Sequence, residues 1–451
     1  MRLKPWSVLI VIVCGVGALT ACRGDGDTSA TRAAEASEWR QHNPMLAVTY
    51  SRQPMPGRQE AVERLLAEDA GRFWAQCAAK ARQIDDWPMI LLLSDKAEQS
   101  RDNRALQWLV RSWAMPSTTV SDETRPEPRA IEAITRAKAD VLLKEILFDK
   151  HDSYPTATQI AAWTVLFRLL PQDELRGLVV QQGDEDASVL MSMLKQCEPA
   201  VDVLPADREA IGRLMRLTTA FDKPQWSVSA RWRSDHAGDG PATLALRHLP
   251  ALLHMDDQAA RWTRTRWLDH LKKRLADRRH VSRGDGADEF AVVSKRPDRF
   301  GDHVDRLGMA DMVVLDHLLD AMDNPAIRRS LFEHADADRV DRRSEYGGVL
   351  GWAEQGGLAY RSFDPLFRRH DEAYLASTRC MQALYVGLAH VHFHAQKYDN
   401  ALWAGPGKGD LGFAKAHYAN AVVLTFVDQN TMNVDAYWAD GVIIDLGCVT
   451  R

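Results

Sequence analysis

Three clusters in the last quarter of the sequence combine residue types suited to metal-assisted acid–base chemistry. They are Glu345 in Glu345-Tyr346-Gly347-Gly348-Val349-Leu350, the histidines of His390-Val391-His392-Phe393-His394, and Asp410 in Gly405-Pro406-Gly407-Lys408-Gly409-Asp410. On an extended strand alternate side chains share a face, so an HxH pair sends two imidazoles toward one point, about the spread a tetrahedral zinc ion accepts. A carboxylate from the next loop supplies a third ligand. One position then remains for water, acidified by the cation, and a second carboxylate outside the metal shell can take its proton. Three histidines at alternate positions of an apolar strand are also costly to bury without a partner, which favours metal binding over chance composition.

These side chains need a scaffold, and the pattern around them supplies one. Met309 to Met322 reads as an amphipathic helix, with Met312, Leu315, Leu318 and Leu319 spaced to face a core. Short β-like runs follow at Gly347 to Trp352, Leu384 to His394, Ala421 to Val427 and Gly441 to Leu446, with turn residues between them, so this portion is α/β. The glycine-rich run 405–409 lacks Walker spacing and is the turn that delivers Asp410. Asp336, Asp338 and Asp341 open like a calcium loop, but no glycine turn or bidentate Glu follows, so they are a solvated acidic linker. Asn433, Asp435 and Asp445 receive no role.

Glu, then HxH, then Asp, with a helix before the Glu and a strand leading into the histidines, resembles the JAB or JAMM metalloprotease family over roughly residues 308–451. The resemblance implies a JAB-like (cytidine-deaminase-like) α/β domain there, behind a helical N-terminal region, α + α/β in all. It implies Glu345 as general base and zinc (Zn²⁺) held by His392, His394 and Asp410, with His390 as alternative ligand in a frame shifted by one step. The His392 and His394 frame leaves the shorter connection to Asp410. The proline that usually follows the second histidine is absent. The family's Ser-x-x-Asp hydroxyl, which steadies the tetrahedral oxyanion, is replaced by Gly407, so Lys408 or a backbone amide such as that of Gly407 is the oxyanion candidate. The implied activity is hydrolysis of peptide or isopeptide amides in a peptide or protein substrate. The alternative is a non-catalytic, membrane-anchored helical scaffold or binding protein with a degenerate JAB-like module.

The rest of the sequence places such a domain outside the cytoplasm. Arg2 and Lys4 precede the apolar run Val8 to Val16 and the lipobox Leu19-Thr20-Ala21-Cys22, which reads as a lipoprotein signal peptide over residues 1–21 with lipidation at Cys22. The apolar run is shorter than the roughly 20 residues a membrane-spanning helix needs. The expected location is the cell envelope, facing the periplasm or exterior, with Arg23 favouring the outer membrane. Residues 22–59, rich in Ala, Ser, Thr, Arg, Asp and Pro and containing Arg23-Gly24-Asp25 as spacer, read as a flexible tether, and 60–300 as mostly helical. Val62, Leu66, Ala70, Phe73, Cys77 and Ala81 recur at helical steps, Thr156 to Gln159 reads as a capping box, and the tryptophans between Trp108 and Trp267 read as core. A Gly- and charge-rich loop, Arg283 to Arg306, precedes the last domain.

With 451 residues, 26% of them charged, and a net charge of −5, nothing points to nucleic acid. The Lys and Arg cluster from Arg261 to Arg306 reads as a solvated helix face. Of six cysteines, Cys77, Cys197, Cys380 and Cys448 remain after Cys14 and Cys22. An oxidising compartment permits the pairing Cys77 with Cys197 and Cys380 with Cys448, with free buried thiols as the equal alternative.

Overall fold

Apolar residues repeated at three- and four-residue steps become helices through most of the chain, and alternating residues become a sheet near the metal-type motif. The computed structural model describes residues 44–117, 120–149, 153–181, 187–239, 241, 244–281, 298–341, 343–366 and 374–451. The expected signal peptide, the expected lipidation site Cys22, most of the expected tether and most of the 283–306 loop lie outside the described residues. The described residues up to Leu92 and those from Leu93 onward form two compact units. No helix among the described residues is long and apolar enough to cross a membrane.

In the first unit the helical structure starts at Pro44 rather than Glu60, with helices Pro44–Thr49 and Met55–Ala79. Arg58 is the reason. Its guanidinium is 1% exposed, donates to the Ala47 and Val48 carbonyls at 3.1 and 2.8 Å and pairs with Asp86 at 2.6 Å, so residues 44–59 are folded rather than free tether.

In the second unit, short helices lead to Arg264–Ala276. Trp108, Trp163 and Trp267 are core residues as expected. The helix Thr156–Leu169 stops where Pro171 forces Leu170 into an extended conformation (φ −109°, ψ 145°). Its expected capping box does not form: Thr156 is already helical behind the extended Pro155, and the Gln159 amide turns to the Asp149 carbonyl. Asp222 and Gln225 make such a box instead, at 3.1 and 2.8 Å. The expected solvated basic face is partly engaged, since Arg274 pairs with Asp316 at 2.6 Å and with Asp320 and Asp323 at 2.8 Å.

The sheet has six strands in the order β2-β1-β3-β4-β5-β6, with β1 Gly347–Trp352, β2 Leu358–Phe363, β3 Ala389–His394, β4 Asn420–Asp428, β5 Thr431–Trp438 and β6 Ile443–Thr450. Only β3 and β4 run parallel, joined through the helix Lys408–His417; all other neighbours are antiparallel. The expected run Leu384 to His394 is corrected by a helix, Thr378–Val386, which buries Cys380 and Leu384 before Gly387 turns the chain into β3. β2 and β5 were not anticipated. The class is helical region plus mixed sheet, in keeping with α + α/β.

One face of the sheet packs Val391, Phe393, Leu424 and Trp438 against Met309–Asp323 and Pro325–Val340. The same core includes Trp232, Trp267, Leu271 and Leu275, so the helices from Trp232 onward and the sheet share one interior. No disulfide joins the described cysteines: Cys77, Cys197, Cys380 and Cys448 are free thiols, and the proposed pairings are not made. Burial pushes the Cys448 thiol up to about 11. Asp338 caps no calcium loop; it accepts from the Tyr346 N–H at 2.8 Å, and Asp336 pairs with Arg451.

Candidate metal centre

Strand alternation sorts β3 into two faces. Ala389, Val391 and Phe393 enter the core, so His390, His392 and His394 all face the opposite side. Register sets what stands beside them. Gly347 of β1 lies opposite His392, and Val423 and Thr425 of β4 lie alongside His392 and His394. The glycines after Glu345 permit this closeness. A Cβ at Gly348 would sit 2.3 Å from the Arg361 carbonyl oxygen, and one at Gly347 would sit 2.9 Å from the Tyr374 ring and the Val391 carbonyl.

Asp410 arrives from the crossover. Gly405 takes a left-handed turn (φ 83°), Gly407 caps the helix Lys408–His417, and Asp410 occupies its first turn, where the positive end of the helix favours a carboxylate. One Asp410 oxygen, Oδ2, accepts the Gly407 N–H at 2.7 Å. Asp410 Oδ1 lies 3.1 Å from His392 Nε2, and Oδ2 lies 3.6 Å from His394 Nε2. One donor atom from each of the three residues falls within 4.8 Å of the others. Tetrahedral coordination with bonds of about 2.0–2.1 Å puts neighbouring donors about 3.3 Å apart, between these two distances.

The tautomers also suit a cation. The His394 Nδ1–H donates to the Trp403 carbonyl at 2.8 Å, which leaves the Nε2 lone pair directed at Asp410. A lone pair facing a carboxylate calls for a proton or a metal ion between them. His392 Nδ1 lies 3.4 Å from the Tyr437 hydroxyl, which holds that ring from behind. His392, His394 and Asp410 therefore fit zinc, and the frame containing both later histidines is the one that converges.

His390 does not join this set. Its ring is 3% exposed, lies between Tyr374 and Phe413 at 5.3 and 4.6 Å, and has no hydrogen-bond partner at either nitrogen among the described residues. Burial, with the charge of His392, lowers its pKa to about 3, so it is neutral.

Glu345 precedes β1 and is 7% exposed. Burial raises its pKa above the usual carboxylate range, offset in part by His392 and His394 and reinforced by Asp410, and the Tyr374 backbone N–H donates to it. A buried carboxylate with raised pKa that feels the charges of two imidazoles is the kind of group that serves as a general base. Asp410 behaves oppositely. Burial alone would raise it, but the charges and hydrogen bonds of His392 and His394 hold it well below the usual range.

The oxyanion candidates fare less well. Lys408 is exposed, and the Gly407 amide is already engaged by Asp410. Tyr437, Tyr374 and the Trp403 carbonyl are site components that the sequence reading missed. Only Tyr437 carried a signal, lying at alternate positions from Asn433 and Asp435. Those two are buried on β5, where the Asn433 amide donates to Asp435 at 2.9 Å.

Comparison of the chain with protein-family models, with curated proteins and with solved structures finds no match.

Proposed function

We propose that this chain is a zinc-dependent hydrolase of amide bonds, peptide or isopeptide, with a JAB-like domain in residues 308–451. One observation carries the reading: donor atoms of His392, His394 and Asp410 converge within 4.8 Å beside the buried Glu345. A zinc ion held by His392, His394 and Asp410 would supply Lewis acidity at a substrate carbonyl and acidify water at the site. Glu345 would take a proton from a water as its oxygen adds to the carbonyl carbon, and deliver that proton to the amine nitrogen as the C–N bond breaks. The Trp403 carbonyl keeps His394 in the ligating tautomer, and Tyr437 fixes the plane of His392. The substrate class is a peptide or protein. The reading includes a lipid anchor at Cys22 and a place at the cell envelope, on the outer membrane facing the periplasm or exterior, with no nucleic-acid partner.

Gly407 favours a second reading, a membrane-anchored helical scaffold with a metal-binding but non-catalytic module, because it leaves the oxyanion without a side-chain donor. Two measurements separate the readings. Zinc content near one per chain should fall to background in the His392→Ala, His394→Ala double variant; equal content in both proteins removes the metal site. Glu345→Gln should retain zinc and lose amide cleavage, whereas zinc without cleavage in the unmodified chain selects the scaffold.

A further inference from the structure

We infer that Glu209, on the helix Arg208–Ala220 of the helical region, is a positioning residue for the metal centre: it anchors the helix that presents Asp410 and the ring stack that backs His392. The inference rests on the metal-site reading above.

The helix Lys408–His417 carries Asp410 in its first turn and His417 at its last residue, roughly 10 Å along the axis. At that far end His417 Nδ1 lies 2.7 Å from Glu209 Oε1. The same oxygen accepts the hydroxyl of Tyr385, on the helix Thr378–Val386 that leads into β3. One carboxylate thus ties together the two helices that flank the histidine strand. Burial alone would raise the Glu209 pKa, but the His417 and Tyr385 hydrogen bonds and the charges of His417 and Arg213 hold it below its ordinary value, so it is a carboxylate at neutral pH.

Neighbouring contacts make the anchor stiff. Tyr418, in the left-handed conformation (φ 47°), donates its hydroxyl to Asp207 at 2.9 Å, and Asp207 caps Arg208–Ala220 by accepting the amides of Glu209 and Ala210. Arg213, 3% exposed, donates to the Tyr418 carbonyl at 2.8 Å and so satisfies an acceptor at the end of the Asp410 helix. A second path runs through rings: His417 to Phe413 at 4.6 Å, Phe413 to His390 at 4.6 Å, and His390 to His392 at 5.9 Å. Displacing His417 therefore acts on Asp410 through a rigid helix and on His392 through packing. Misplacement of site groups by about 1 Å is enough to be felt strongly in chemistry.

The test uses the full chain loaded with Co²⁺, whose visible bands report the ligand geometry, together with zinc affinity measured against a chelator. Glu209→Ala should change the cobalt bands and weaken zinc binding roughly tenfold, the low end for outer-shell partners. Glu209→Gln, which retains an acceptor oxygen at the same reach, should recover most of the loss. Met215→Ala, at an exposed position of the same helix, should leave both readings unchanged. If Glu209→Ala does not fold, Tyr385→Phe and His417→Gln each remove one arm of the anchor and should shift the bands in the same direction. Wild-type bands and zinc affinity within twofold of wild type in these variants overturn the inference. Failure of the unmodified chain to bind either metal removes the metal-site reading itself.

Discussion

Zinc should reverse the sign of the His394 contribution to this protein's pH dependence. In the metal-free chain His394 faces Asp410 at 3.6 Å. Burial alone would lower the imidazole pKa, but the hydrogen bond and charge of Asp410, the charge of Glu345 and the Trp403 carbonyl raise it above its ordinary value. A raised folded-state pKa contributes stability that is complete below the unfolded value, about 6.5, and is lost as pH rises through the folded value. Asp410, with its depressed pKa, contributes above about pH 4 and loses its contribution only in strong acid, so it adds no slope near neutrality. The His394 contribution to metal-free stability therefore falls as pH climbs above about 6.5, by at most about 1.4 kcal/mol per pH unit for its one proton, while the buried His248 and His334, whose pKa burial lowers to about 4, add a rising slope below about pH 6.5 that is common to the metal-free and zinc-loaded protein. Zinc requires neutral imidazoles and displaces that proton, so its contribution grows over the same window. At free zinc about 1,000 times the dissociation constant that contribution is about 4.1 kcal/mol. Thermal midpoints from about pH 6 to about pH 8.5, with chelator and with zinc, should give two curves that diverge as pH rises. His394→Ala should abolish the divergence. Parallel curves with chelator and with zinc would refute the assignment of His394 as a ligand paired with Asp410.

Three further outcomes follow from the same geometry. A Cβ at Gly407 meets nothing nearer than Asp410 Oδ2 at 3.6 Å, and its φ of −85° suits any residue, so Gly407→Ser should keep zinc and raise amide turnover about tenfold or more; unchanged turnover would show that a hydroxyl there does not reach the oxyanion. Tyr437→Phe should weaken zinc binding about tenfold in chelator competition, and equal affinity would exclude it as the support of His392. His390→Phe keeps the ring stack while deleting two unpartnered buried nitrogens, so zinc stoichiometry should hold and the thermal midpoint should not fall; loss of zinc would make His390 a ligand.

What could be read from the sequence depended on how local its cause was. β3 was legible because His alternates with Ala, Val and Phe at period two, which fixes both the face and the convergence of His392 with His394. Its start was not, because Leu384 and Cys380 are as apolar as the strand and only Gly387 marks the change from helix. β5 does alternate, with Met432, Val434, Ala436 and Trp438 against Thr431, Asn433, Asp435 and Tyr437, but both of its faces are buried, and its Asn433 and Asp435, polar residues inside a sheet, carry no role in the sequence reading. The pattern Thr156 to Gln159 matched a capping box in spacing, yet the preceding Pro155 supplied the extended cap position and moved the helix start onto Thr156. Tyr374 and the Trp403 carbonyl reach the site only through tertiary contacts and left no local trace.

The choice of residue 308 as a domain start followed the change in texture from helical to mixed, but texture is not a packing boundary. Met309–Asp323 buries residues on every side, some against the sheet and some against Trp267, Leu271 and Leu275 of the preceding helices. Asp311 in its first turn is 2% exposed and takes its partners from upstream, Arg247 at 2.6 Å and His248 at 2.9 Å. Burial, helped by the charge of Arg247, lowers His248 to about 4, so at neutral pH His248 is neutral and Arg247 brings a compensating charge. Arg247 also donates to Asn420 at 2.6 Å, the first residue of the strand that lies beside the histidines. A buried carboxylate deprived of its cation is among the more destabilising changes a core can suffer, about 3–5 kcal/mol. The sheet that carries the metal-type side chains is therefore tied to residues of the helical region, and residues 244–281 and 298–307 belong to the scaffold of the site as much as the strands do.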